Sequence, residues 1–307
     1  MTPDLDDAAR TIHELLRAAP GSSPTARALH AKGVVATGEF RASGALGGLT
    51  TATHLVSGTT PVVARFSHPS GDPGVSDVPP SGRGLAVKLR SSDGIHDVVT
   101  VSAPAFPVRD AASFIELLAA RAPDPATGSP DPERMGAFLG AHPEALPAIE
   151  YALAAPIPAS YATLAYHALH TFFLVDGDGV RQPVRLTWDP VDGERSVTAE
   201  QAGARGPDFL VAELTDRLAP GGRGAPFDLV VHLGGPGDPT DDPTAIWAER
   251  PTLVAGRLVL TRLLDDPEPI IFDPNNVTGG LARPDNDEVL ALRGSVYGLS
   301  YAQRTGA

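Results

Sequence analysis

The chain has 307 residues, of which 42% are hydrophobic and 20% charged, so it is long enough to bury a large core. Its net charge of −13 argues against phosphate backbones and anionic membrane surfaces, and we expect neither nucleic acid nor membrane as a partner. The absence of cysteine excludes disulfides, thiolate metal sites and iron–sulfur clusters.

The N-terminal segment combines an acidic start with helical periodicity. Apolar residues at helical spacing predict an amphipathic helix over residues 3–18, which Pro20 and Gly21 end. The segment has no basic and apolar signal pattern, and no apolar run in the chain reaches the roughly 20 residues of a membrane span. We therefore expect a cytoplasmic protein.

From residue 29 onward the pattern changes to short runs rich in Val, Thr and Phe, separated by Gly, Pro, Ser and Asp. This is typical of successive antiparallel strands. Later strands are predicted at 171–176, 183–189, 195–200, 227–234 and 253–265, helices at 109–122, 132–155, 207–219 and 285–299, and an exposed acidic loop at 235–244. The pattern favours an α+β fold, with an antiparallel barrel on which helices pack. We expect an N-terminal helix and short arm over residues 1–23 and a single barrel domain over residues 24–307.

Three short stretches carry residue types suited to chemistry. They are RALHAKG at 27–33, ARFS at 64–67 with RGLAVK at 83–88, and RGSVY at 293–297 followed by Arg304. Each has an ordinary structural explanation when taken alone. A histidine on a strand, such as His30, is more often a hydrogen-bonded structural residue than a catalyst. Arg293 and Tyr297, four residues apart on a helix, more often form a packing or cation–π pair.

Taken together, these stretches and four further segments occur in an order and spacing that closely resembles the haem catalases, and within them the short catalase-related peroxidases. The segments are RALHAKG, TPVVARFS, GRGLAVKLRS, HDVVTVSAPAFPVRD, HTFFLVDGDG, RPTLVAGRLVLTR, IIFDPNNVTGG and RGSVY. The resemblance runs from about residue 24 to the end. It implies the antiparallel eight-stranded β-barrel of the catalase core with packed helices, and haem b (iron protoporphyrin IX) as cofactor.

The resemblance also implies roles for the two ends of the chain. Tyr297 matches the tyrosine that ligates the haem iron, and a cation at Arg293, one helical turn earlier, favours the phenolate that this requires. His30 matches the histidine that acts as acid and base on bound peroxide. Ser67 matches the serine that hydrogen-bonds the far nitrogen of that histidine and fixes its ring.

Other matches concern the binding of the cofactor. Arg27, Arg65 and Arg304 match the arginines that pair with the haem propionates. Phe106 matches the phenylalanines packed near the distal haem face, whereas the alignment of Phe114 is ambiguous, and either residue is equally well explained as an ordinary core aromatic. The side chains of His167, His170 and Tyr301 are interpreted as structural.

Several positions depart from the large catalases. They have an asparagine where this chain has Val101, which predicts weak disproportionation of hydrogen peroxide. A histidine that extends the hydrogen-bond chain of the proximal arginine aligns near Thr187, so we expect Arg293 to lean on Asp287 or on another group. The segment AIWAERP, residues 245–251, lacks the histidine that helps to hold NADPH, and we expect no bound nicotinamide.

The predicted function is that of a haem peroxidase. It would reduce hydrogen peroxide or organic hydroperoxides at the expense of a small organic electron donor, with weak catalase activity. Because the segments that interlock the large enzymes have no counterpart, we expect a monomer or homodimer rather than a tetramer. The alternatives are an isomerase or dehydratase of fatty-acid hydroperoxides on the same fold, a non-catalytic haem carrier, and a barrel for a small apolar ligand.

Overall fold

The computed structural model describes residues 4–124, 126–264 and 269–306. One antiparallel sheet dominates it, and a second, two-stranded sheet joins β5 to β9. The strands are β1 (Gly33–Ala42), β2 (Thr59–Ser67), β3 (Gly84–Ser91), β4 (Gly94–Val101), β5 (Ile157–Pro158), β6 (Tyr166–His167), β7 (Phe172–Val175), β8 (Arg181–Pro190), β9 (Ser196–Val197), β10 (Ala225–Leu233), β11 (Thr252–Leu263) and β12 (Leu281–Ala282).

Eight strands close into a barrel in the order β10, β11, β1, β2, β3, β4, β6 and β8, and β8 pairs again with β10. The strands β6 and β7 pair with successive parts of β8, since Tyr166 lies opposite Trp188 and Phe172 opposite Val184. The predicted antiparallel eight-stranded barrel with packed helices is therefore confirmed.

The barrel is filled by side chains that alternate along the strands, as a pleated sheet requires. On β10, Phe227, Leu229 and Val231 are fully buried, and on β2 the ring of Phe66 stacks on Tyr161 at 5.2 Å between centroids. Because side chains occupy the interior, a large ligand has no room inside the barrel. The residues between these positions face outward, toward the helices.

The helices are α1 (Leu5–Arg17), α2 (Thr53–Val56), α3 (Ala111–Arg121), α4 (Pro132–Ala141), α5 (Leu146–Ala154), α6 (Ala199–Arg205), α7 (Phe209–Arg217) and α8 (Glu288–Thr305). The helices α1, α3 and α8 share an apolar cluster that includes Ile12, Leu16, Ala111, Leu292 and Val296. This cluster places the last helix of the chain beside the first. No helix in the described ranges is long and apolar enough to cross a membrane.

Two predicted elements differ from the structure. The single helix predicted over 132–155 is two helices, because α4 ends at Ala141 and Pro143 cannot continue it and restricts the residue before it. The strand predicted over 195–200 is only two residues long. A capping box between Thr198 and Gln201 starts α6 there instead, since each side chain bonds the backbone N–H of the other residue.

Candidate functional site

A deep cavity lies between the outward face of β2, β3 and β4 and the helices α1 and α8. Its empty space is about 1070 Å³, including the part that opens to solvent. All of the predicted site residues line it: Arg27, His30, Arg65, Ser67, Phe106, Arg293, Tyr297 and Arg304. The fold therefore brings the two ends of the chain together around one space.

The rest of the cavity wall is mostly apolar. Its hydrophobic members come from seven different parts of the chain and are Leu16, Ala28, Leu29, Leu85, Ala86, Val99, Val101, Phe114, Ile271, Phe272, Leu292 and Val296. Phe106 and Phe114 contact each other edge to face at 5.6 Å, so both predicted phenylalanines belong to this wall. Such a lining suits a large flat apolar ligand that carries a few charged groups.

His30 has an unusual backbone. Its φ is +57°, and it is the one non-glycine residue with positive φ in the described part of the chain. The left-handed region costs an L-residue roughly 1–2 kcal/mol, although histidine enters it more readily than bulky or branched residues. The strain is therefore offset by contacts around this residue.

The His30 ring is held from two sides. Its Nδ1 lies 2.9 Å from the Oγ of Ser67, a buried residue at the end of β2. A Cβ at Gly84 would lie 2.7 Å from Ser67 Oγ and 3.0 Å from His30 Nδ1. A glycine is thus needed at the start of β3 to leave room for the histidine–serine pair.

The surroundings keep the His30 imidazole neutral. Burial, and after it the nearby cations Arg65 and Arg293, together lower its pKa from the usual 6.5 to about 3. A neutral ring at physiological pH has one nitrogen free to accept a proton. With Nδ1 protonated and donating to Ser67, that nitrogen is Nε2.

Tyr297 and Arg293 form a hydrogen-bonded pair on α8. Nε and Nη2 of Arg293 both donate to the Tyr297 oxygen, at 3.1 and 2.8 Å. Arg293 is buried and its guanidinium lies 5.5 Å from the Tyr297 ring centre. The phenol oxygen therefore accepts two hydrogen bonds from a buried cation.

Of the two possibilities that the sequence left open for Arg293, a bond to Asp287 or to another group, the structure excludes Asp287. One carboxylate oxygen of Asp287 accepts from the Leu290 N–H at 2.8 Å, as the N-cap of α8, and the other lies 2.6 Å from His170 Nδ1. Asp287 and His170 are both buried. The carboxylate is thus occupied by the helix terminus and by the histidine that precedes β7.

Three cations gather at another part of the cavity. Arg27 and Arg304 each donate to the Ile270 carbonyl at 2.6 Å, and Arg65 donates to the carbonyls of His30 and Ala31 at 2.8 and 3.0 Å. No carboxylate within the described ranges lies within 4 Å of them. The Nε of Arg304 is buried and makes no hydrogen bond in this part of the structure.

Burial and the short distances between these cations lower their pKa values. Burial lowers the pKa of Arg27 to about 9, with smaller contributions from Arg65 and Arg304, and burial lowers the pKa of Arg65 to about 10. An anionic ligand would reduce the free-energy cost of burying these positive charges, since it would supply the opposite charge.

Val101 and Thr187, two of the positions at which this chain departs from the large catalases, lie in different places. Val101 is in the cavity wall, and no side-chain amide occurs among the described residues that line it. Thr187 is outside the cavity, where its hydroxyl bridges His167 Nδ1 at 3.1 Å and His232 Nε2 at 3.0 Å. Tyr301 stacks on Arg304, with the guanidinium 4.8 Å from its ring centre.

Sequence reasoning missed the glycines that shape the site. Gly33 and Gly84 both lie in the stretches that were singled out, yet a glycine in a strand gives no sign of which side chain it accommodates. The left-handed backbone of His30 also had no signal in the sequence. The presence of Leu16, Ile271 and Phe272 in the cavity wall follows only from tertiary packing.

Comparison with known proteins gives the family. The family model described as Catalase matches residues 22–307. A catalase-related peroxidase of Mycolicibacterium paratuberculosis is 37% identical over 95% of this chain and 93% of its own length, and one of Synechococcus elongatus is 33% identical over 90% and 82%. A catalase of Pseudomonas aeruginosa is 30% identical over 92% of this chain, which spans 57% of that protein.

Proposed function

The chain belongs to the catalase family, and from that premise we propose that it is a haem peroxidase. It reduces hydrogen peroxide or organic hydroperoxides with electrons from a small organic donor, and it has weak catalase activity. The observation that carries the proposal is that one cavity is lined both by a histidine–serine pair and by an arginine-bonded tyrosine.

The residues present fit haem b. The apolar wall suits the porphyrin, the three arginines suit its two carboxylates, and the Tyr297 oxygen is a suitable ligand for ferric iron. Tyr297 would hold the iron, Arg27, Arg65 and Arg304 would hold the propionates, and Phe106 would pack against the ring. When bound, the haem supplies the redox chemistry by which the O–O bond is cleaved.

His30 would move the proton that this cleavage needs. A neutral Nε2 would accept the proton from one peroxide oxygen and return it to the other oxygen, which leaves as water or alcohol. Ser67 keeps the proton on Nδ1 and the ring in one orientation. Arg293 balances the negative charge that Tyr297 carries as a ligand.

The wall around Val101 supports a peroxidase rather than an efficient catalase. Disproportionation requires a second hydrogen peroxide to be placed as a reductant, and a side-chain amide can orient it through hydrogen bonds. Valine offers none. An organic donor supplies the two electrons instead.

A non-catalytic haem carrier does not account for the site. A carrier needs a ligand and a hydrophobic wall, whereas it gains nothing from a histidine held in a strained backbone conformation beside a buried serine. Strain of this kind is found where function maintains it.

The test is a steady-state assay of the haem-loaded protein with hydrogen peroxide alone, and then with a phenolic donor added. We expect slow oxygen evolution in the first case and fast donor oxidation in the second. Oxygen evolution that a donor does not outpace contradicts the proposal. Consumption of a lipid hydroperoxide without any donor would instead assign the isomerase or dehydratase function.

A further inference from the structure

One side chain, that of Arg65, donates hydrogen bonds to the backbone carbonyls at the left-handed residue His30 and at the residue after it. Nη1 donates to the His30 carbonyl and Nη2 to the next carbonyl, that of Ala31, at 2.8 and 3.0 Å. Within the described residues no other group donates to either carbonyl. A planar guanidinium can bond two neighbouring carbonyls at once in a fixed geometry, which an ammonium group cannot.

The surrounding sequence is shaped to admit this contact. A Cβ at Gly33 would lie 2.5 Å from Nη2 of Arg65 and 2.5 Å from the Phe66 carbonyl oxygen, so a larger residue would displace the guanidinium or the neighbouring strand β2. Gly84 leaves the space for the His30 ring on the other side. The two glycines and Arg65 therefore belong to one arrangement, centred on the histidine.

We propose that Arg65 is a positioning residue: it fixes the backbone of His30 and so aims the imidazole into the cavity before any haem is bound. This is distinct from the carboxylate-binding role proposed above. It rests on the proposed function only in assuming that the His30 imidazole takes part in the reaction.

The physical reason is that a residue in the left-handed region relaxes when its supports are lost. Rotation about φ swings the whole side chain, and proton transfer needs heavy atoms within about 2.6–3.2 Å of each other. Apart from Ser67, which holds the His30 ring, the other hydrogen bonds lie on either side of His30. The N–H of Ala28 donates to Ser300 Oγ, and the N–H of Ala31 donates to the Ser70 carbonyl at 2.9 Å.

The Ala31 N–H provides the readout, because its bond to Ser70 holds only while the segment keeps its conformation. Amide hydrogen exchange is measured in the haem-free protein for wild type, Arg65→Lys and Arg27→Lys. The second variant is the matched control, since Arg27 lines the same cavity, is also a proposed propionate partner, and donates to Ile270 rather than to this segment.

We expect exchange at Ala31 to accelerate about tenfold or more in Arg65→Lys and to stay unchanged in Arg27→Lys. The Leu229 amide in the barrel core reports global unfolding in the same data, and its exchange should not change. Arg65→Gln replaces the lysine variant if the latter does not fold. Equal exchange at Ala31 in all proteins would overturn the proposal and leave Arg65 with haem binding alone.

A second measurement separates this proposal from the proposed function. At equal haem occupancy, Arg65→Lys should react with peroxide about tenfold more slowly than Arg27→Lys. If Ala31 exchange accelerates but the wild-type haem protein does not react with peroxide, the proposed function fails and the positioning role stands. If the wild-type haem protein reacts with peroxide but exchange at the Ala31 amide is the same in all variants, the positioning role is contradicted and the proposed function stands.

Discussion

A single imidazole carries the proton chemistry in this account, and its neighbours decide its state. Burial, Ser67 and the cations together favour a neutral His30 ring whose Nε2 accepts a proton. His30→Ala should therefore retain haem but slow the first reaction with peroxide by about 10²–10⁴-fold. Stopped-flow absorption measures this rate, and His142→Ala, a partly buried histidine at the end of α4 that does not line the cavity, is the control. An unchanged rate in His30→Ala would remove it as the acid–base group.

The low pKa of His30 also sets the pH dependence of that reaction. Because burial lowers this pKa to about 3, the ring stays neutral at every pH well above 3. The rate constant for the reaction with peroxide should be flat between about pH 5 and pH 8 and fall only in more acidic solution. A profile with an apparent pKa near the usual value of 6.5 would contradict the environment described here.

At this scale the sequence could predict which residues gather but not how they are held. His30, Ser67 and Tyr297 were found because their side-chain chemistry and order match a known family, and all three line one cavity. The positive φ of His30 could not be predicted, because it depends on contacts made by Arg65, which is distant in the sequence. The pairing of Asp287 with His170 could not be predicted for the same reason, since the two residues are far apart in the sequence.

At the scale of elements, α8 is anchored through its N-cap residue, Asp287. Asp287 caps the helix and pairs with buried His170, so Asp287→Ala removes a cap and leaves a buried ring nitrogen without its partner. We expect a loss of about 2–4 kcal/mol in the free energy of unfolding, measured by denaturant titration. Asp131→Ala, at the exposed cap of α4, is the matched control and should cost about 1 kcal/mol. Equal losses would show that the His170 contact contributes nothing.

The contact between α2 and β4 makes the fold sensitive to acid. His54 Nε2 lies 3.0 Å from His96 Nδ1, both rings are buried, and burial lowers their pKa values to about 4 and about 3. Below about pH 6.5 the unfolded chain takes up protons that the folded state excludes, so stability falls as pH falls.

A variant isolates this contribution. Between pH 7 and pH 5, His96→Gln should lose about 2 kcal/mol less stability than the wild type, because one buried histidine no longer takes up a proton on unfolding. Denaturant titrations at the two pH values measure the difference. Identical losses in both proteins would mean that His96 is already protonated in the folded state at pH 5.

Most strands could be predicted, because alternating burial imposes a period of two on the sequence. The barrel strand β10 shows this clearly, with Phe227, Leu229 and Val231 inside. Two errors arose where local signals compete with periodicity. Pro143 divides an otherwise helical stretch, and the capping box at Thr198 starts a helix directly after a two-residue strand.

At the scale of the whole molecule, the outer face of the barrel forms one wall of the cavity. Its interior is filled, so the cavity lies on its outer face and is closed by the first and last helices. The segment that bears His30 and the helix that bears Tyr297 come from opposite ends of the chain, so the site forms only when the fold is complete. The expected monomer or homodimer stays a prediction, and sedimentation equilibrium should give 31.8 kDa or twice that mass.

The most direct test of the central claim is the absorption spectrum of the chain after loading with haem, for the wild type and for Tyr297→Phe. The wild type should bind one haem and show a Soret band with the charge-transfer band of tyrosinate-ligated ferric iron. The variant should lose most of its haem or the charge-transfer band. A colourless wild type, or identical spectra for both proteins, would contradict the claim that this cavity holds haem through Tyr297.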